Sequence, residues 1–129
     1  MVMVMVMRRG DVQFSSAGTG VRHSETNESP TESVRFLQIW VLPWRKGLSP
    51  MYHTRSLGEE EKRKGFVTLI SPVKGGVDAS EAEEKGDEGV VKGSIPIHAD
   101  FVFGAGIIPA GKMFLWKVAG EGGCGGEGE

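Results

Sequence analysis

The side chains best placed to do chemistry together are His23 and Glu25, two positions apart in Arg22-His23-Ser24-Glu25. In an extended chain, residues i and i+2 share a face. An imidazole nitrogen and a carboxylate oxygen can then converge on one point while Ser24 turns away. That donor pair suits zinc, iron or another first-row transition metal. Read alone, the same pattern also describes an exposed salt link or a solvated histidine, and zinc sites normally hold three or more protein ligands. His53, ahead of the charged run at 59–64, reads as a solvated surface histidine. His98 lies in a later unit and reads the same way. Trp40, Trp44 and Trp116 read as core or rim packing rather than a ligand cage.

The elements that must position the pair are mostly short and β-like. Gly10-Asp11 reads as a turn into a strand at Val12-Gln13-Phe14. Ser15 to Gly20 is small and glycine-rich, a tight loop whose glycines allow a sharp entry into Val21–Glu25, which alternates like a strand. Residues 26–33 are turn and polar types, hence a loop. Val34 to Leu42 is the strongest strand pattern in the chain. It is rich in β-branched and aromatic residues and ends at Pro43. Both of its faces are apolar except at Gln38, which predicts a central strand buried on two sides.

Ser56-Leu57-Gly58-Glu59 fits a capping box for a short helix, with acids first (Glu59, Glu60, Glu61) and bases last (Lys62, Arg63, Lys64), the order the helix dipole favours. Gly65 is placed to stop it. Phe66 to Ile70 reads as a strand closed by Ser71-Pro72. Residues 73–93 read as an acidic flexible linker, with one weak helical turn at 78–85. Ile95 to Ile108 and Met113 to Val118 read as strands of a second unit. The opening Met-Val repeat, residues 1–7, fits either a buried strand or a low-complexity start, and the latter is preferred.

Bulk properties narrow the classes of function. The chain has 129 residues, 39% of them hydrophobic, with 20 glycines and a net charge of −2. A small core follows, with correspondingly small stability. Charges of both signs are interleaved and form no basic stripe, so direct nucleic-acid binding is not expected. No apolar run approaches the roughly 20 residues of a membrane helix. Cys124 is the sole cysteine, in a Gly/Glu-rich tail, which suits a reducing compartment. The expectation is an intracellular protein, cytoplasmic or nuclear. Several short strands, many turns and one helix argue for an all-β sandwich or barrel.

A resemblance sharpens this. Gly18-Thr19-Gly20-Val21-Arg22-His23-Ser24-Glu25 is similar to the glycine-rich stretch ending His-Ser-Glu in pirin-like proteins. Gly10–Phe14 resembles the strand leading into it, and Val34–Val41 resembles the family's Val-x-Phe-Leu-Gln-Ile-Trp strand. Gly47-Leu48-Ser49-Pro50-Met51-Tyr52, the charged run at 59–63 and Leu69-Ile70-Ser71-Pro72 follow in the same order. The match is close over residues 8–72 and looser through Ile95–Asp100.

This resemblance implies a bicupin, two jelly-roll (double-stranded β-helix) barrels in tandem, here incomplete and with one short helix. Residues 1–72 would be the later part of the first cupin, 73–93 the linker, 94–118 opening strands of a second cupin, and 119–129 a disordered tail. The resemblance also implies Fe(II) or another divalent transition metal, held by a His-x-His pair and a later His-x-Glu pair. Only the later pair maps here, onto His23 and Glu25, and no His-x-His occurs in this sequence. The missing pair is expected upstream in the gene.

The implied activity is of the quercetin 2,3-dioxygenase type, opening the central ring of a flavonol with dioxygen. Glu25 would be the catalytic base beside a Lewis-acidic metal. The alternatives are a non-enzymatic nuclear co-regulator that binds transcription regulators, as implied by the same resemblance, and an inactive gene fragment.

Overall fold

The computed structural model describes residues 4–79 and 88–116. Its elements in chain order are β1 (Asp11–Ser16), β2 (Met51–Ser56), α1 (Glu59–Lys64), β3 (Val67–Pro72), a 3-10 turn (Gly76–Asp78), β4 (Ile95–Ile97) and β5 (Phe103–Ala105). The described residues are therefore mostly strands with one short helix, and they close no barrel.

Two small sheets share one core. β1 and β2 pair antiparallel, from Asp11 opposite Ser56 to Ser16 opposite Met51. β3 is the centre of the second sheet, parallel to β4 and antiparallel to β5, with a register shift between Thr68 and Ile70. Leu57, Leu69, Ile70, Ile95, Ile97 and Ala99 are buried together, with Val12, Phe14, Val41, Phe101 and Phe103 packed around them. Arg55 ties the two sheets: its Nη1 donates to the Thr68 carbonyl at 3.2 Å and the Gly93 carbonyl at 2.6 Å, and its Nη2 meets Glu61 at 3.3 Å. A parallel pair needs a long crossover, and the ends of this one are packed. Val73 and Ala79 are buried, and Val90 N donates to Pro72 O at 2.7 Å.

Several expectations hold locally and others do not. The strand at 12–14 forms and extends to Ser16. The helix forms with acids first and bases last, but the capping box does not. Gly58 is its N-cap and no side chain caps it. Ser56 instead ends β2, where its hydroxyl bonds the Asp11 carboxylate. With the Arg8 N–H, it holds that carboxyl below the usual range. Gly65 ends the helix in ordinary extended geometry, φ 165°.

The largest correction concerns Val34–Leu42, expected as a buried central strand. It forms no strand, and most of its side chains are exposed, Trp40 at 86% and Leu42 at 89%. Only Val41 packs against the core. β-propensity alone cannot hold a strand, because its backbone groups need partners. Val21–Glu25 and 113–116 likewise form no strand. β2 carries little strand signal in sequence: its half-buried residues (Met51, His53, Arg55) are no more apolar than its exposed ones (Tyr52, Thr54, Ser56), and Ser56 also fits a helix cap. Residues 80–87 and the tail with Cys124 lie outside the described residues, as does part of the weak helical turn at 78–85.

Candidate metal centre

The loop after β1 carries the candidate ligands, and glycine fixes how it leaves the sheet. Gly18 adopts φ +51°, and a Cβ there would overlap the Leu48 carbonyl oxygen. Thr19 N donates to that same oxygen at 3.1 Å. The start of the motif is thus clamped to the chain entering β2, at a distance only glycine permits. Beyond Gly20 the backbone is irregular.

Within it, His23 Nε2 and Glu25 Oε1 lie 3.8 Å apart, with side chains 49% and 46% exposed. They come together without the strand geometry that the spacing suggests. One ion about 2.1 Å from each donor would bring the two atoms to roughly 3.0–3.4 Å. Half-exposed side chains on irregular backbone can close such a gap by rotation. The donor set therefore fits two positions of a metal shell. Among the described residues no group of three or more His, Cys, Asp or Glu is placed to hold an ion.

The other histidines stand elsewhere. His53 is not in front of the helix on open surface. It lies in β2 opposite Phe14, ring centroids 6.2 Å apart, and its Nε2 is buried with no hydrogen-bond partner among the described residues. His98 follows β4 and is buried. Burial, and then the positive charge of Arg45, pulls its pKa below the ordinary 6.5, while its carbonyl accepts from Trp44 N at 2.7 Å. Neither was expected in a protein interior.

Comparison with known proteins bears on the same segment. The Pirin family model matches residues 3–41. The span includes the His23/Glu25 motif and all but the last residue of the exposed apolar run. The matches support a pirin-family assignment, over part of the chain. Pirin proteins are cupins, and the strand-rich, unclosed arrangement of the described residues is consistent with part of one.

A quercetin 2,3-dioxygenase of Escherichia coli K12 is 50% identical over 63 residues, covering 49% of this chain and 26% of that protein. A Mycobacterium tuberculosis protein provisionally given the same name is 43% identical over 70 residues, 54% of this chain and 29% of the relative. A Zymomonas mobilis protein, also provisionally so named, is 37% identical over 91 residues, 70% of this chain and 32% of the relative. The matches thus span less than a third of these relatives' length. No solved structure matches the chain significantly. No helix among the described residues is long and apolar enough to cross a membrane.

Proposed function

We propose that this pirin-family chain supplies one half of a transition-metal site, with His23 and Glu25 as two of its ligands, and that the complete site oxygenates a flavonol with dioxygen. The observation that carries this reading is the 3.8 Å approach of His23 Nε2 to Glu25 Oε1, inside a segment alike to proteins named quercetin 2,3-dioxygenase. When bound, a divalent transition metal such as Fe(II) supplies Lewis-acid polarisation of a substrate oxygen.

The chain's own residues do the rest. His23 offers an imidazole nitrogen, and the Gly18–Leu48 clamp sets the position of the loop that carries both ligands. Glu25 accepts the flavonol hydroxyl proton at a carboxylate oxygen, general-base work beside the ion. Both side chains are half-exposed, so a planar substrate can reach them from solvent. The remaining ligands come from groups outside the described residues.

Metal titration tests the reading. The purified chain is loaded anaerobically with Fe(II) or Co(II), and binding is followed by calorimetry and by metal content after desalting. Loss of an outer-shell partner alone weakens a metal site about 10–100-fold. Loss of either ligand, in His23→Ala or Glu25→Gln, should therefore weaken binding at least as much. Equal uptake by wild type and both variants overturns the assignment.

A further inference from the structure

Residues 89–94 turn the chain into β4, and two buried serines hold that turn against β3. Ser71 lies in β3 and Ser94 immediately precedes β4. They are 0% and 1% exposed. Hydroxyls taken so far from water need partners inside the protein. Each finds them in the other and in Val91. Val91 N donates to Ser71 Oγ at 3.1 Å, the two serine oxygens lie 2.5 Å apart, and Ser94 Oγ donates to Val91 O at 2.6 Å.

Distance alone leaves the serine–serine bond without a direction, and the count of protons supplies it. A carbonyl only accepts, and a hydroxyl has one proton to give. The Ser94 proton is committed to the Val91 carbonyl, so Ser71 must be the donor to Ser94. The three bonds then run one way round a closed ring, from the Val91 N–H through both hydroxyls and back to the Val91 carbonyl. Bonds linked in this way polarise and strengthen one another. Gly89 roofs the ring. A Cβ there would overlap Ser71 Oγ and stand 2.7 Å from Ser94 Oγ, a fit open only to glycine.

The ladder beside the ring is short of donors. β4 has three residues at the edge of its sheet. Pro96, opposite Ser71, has no N–H to give. We propose that the Ser71–Ser94–Val91 ring is a cooperative catch that holds the 89–94 turn, and with it β4, in parallel register on β3. This inference does not depend on metal binding.

Amide hydrogen exchange on the full chain tests it. The Val91 N–H bonds to Ser71 and not to Ser94, so separate bonds predict that only Ser71→Ala exposes it. The ring predicts that Ser94→Ala also speeds Val91 exchange, about tenfold, the size expected for a buried partner left unpaired. The Val73 N–H, which donates to the Ile97 carbonyl at 2.9 Å, reports the β3–β4 ladder and should lose protection with it. The Leu57 N–H, bonded to the Gly10 carbonyl beside the other sheet, should change less. The double variant should lose little more than either single one, because a ring opened once is open. Unchanged Val91 exchange in Ser94→Ala overturns the proposal. So do losses that multiply in the double variant, or equal acceleration at Leu57. The unsubstituted chain gives a readout that needs no variant to fold: both serine hydroxyl protons should be visible by NMR, in slow exchange with water. Rapid exchange of either one also overturns the ring.

Discussion

Two apolar, β-rich runs in this chain meet opposite fates. Val67–Pro72 becomes the centre of a sheet, with β4 on one side and β5 on the other, and Leu69 retains 1% exposure. Val34–Leu42 has the stronger strand pattern, yet it lies along the surface with Leu37 at 82% exposure. Intrinsic preference does not separate them. What separates them is whether the described residues offer neighbours: β3 finds Ile95–Ile97 and Phe103–Ala105 in register, and among the described residues 34–42 packs on the core only at Val41. A strand is a property of a pair, and propensity only proposes one side of it.

The largest effect expected from this contrast is at the two leucines. Leu69→Ala opens a cavity in a small core and should cost about 2–5 kcal/mol, read as a drop in the urea midpoint. Leu37→Ala should stay within about 0.5 kcal/mol of wild type. Comparable losses at both positions would mean that 34–42 is packed in solution, and the contrast would collapse.

The same contrast explains what could be read from sequence. β1, β3 and the charge order of α1 were legible because each is decided locally, by alternation, by a closing Ser71-Pro72, or by acids preceding bases. The fate of 34–42 was not, because it depends on neighbours that no residue of the run encodes. β2 was not legible either, because its inward residues Met51, His53 and Arg55 show no apolar alternation and Ser56 fits two roles. As a cap it would bond the backbone N–H of Glu59; in the structure it bonds Asp11, a partner 45 positions away in sequence.

At the candidate metal centre, sequence supplied the two donors and their spacing. It could not supply the clamp of Gly18 on Leu48, a long-range contact. Nor could it show that Arg55 joins the sheets by meeting the Thr68 and Gly93 carbonyls.

That clamp gives the next effect in size. Gly18→Ala puts a methyl group where the Leu48 carbonyl oxygen sits, at a positive φ. Strain of this kind costs about 1–3 kcal/mol and should also loosen the loop that carries His23 and Glu25. Gly58→Ala is the matching control: its φ is −66° and nothing lies within 4 Å of a Cβ there. It should be neutral or slightly stabilising, since alanine restricts the unfolded chain. Arg55→Met should follow at about 1–2 kcal/mol, for charge-assisted bonds lost to two carbonyls. Arg55→Lys should recover only part of that, because a single ammonium nitrogen cannot also hold the separate Nη2 contact with Glu61. If Gly58→Ala were as costly as Gly18→Ala, the loss at Gly18 would reflect glycine replacement in general rather than the clamp.

The smallest effect is a pH dependence confined to the packed region. Burial lowers the His98 pKa below 6.5, and Arg45 lowers it further. The folded chain therefore holds His98 neutral at a pH where the unfolded chain has begun to protonate it. The unfolded state binds more protons, so stability rises with pH across that window and is lost as pH falls below about 6.5, levelling off once the folded form also protonates. Urea midpoints between pH 7.5 and 5 should decline in the wild type and flatten in His98→Gln. An unchanged slope in that variant would move the titrating group elsewhere, and the burial of His98 would no longer distinguish the β4 end of the core from the open loop around His23.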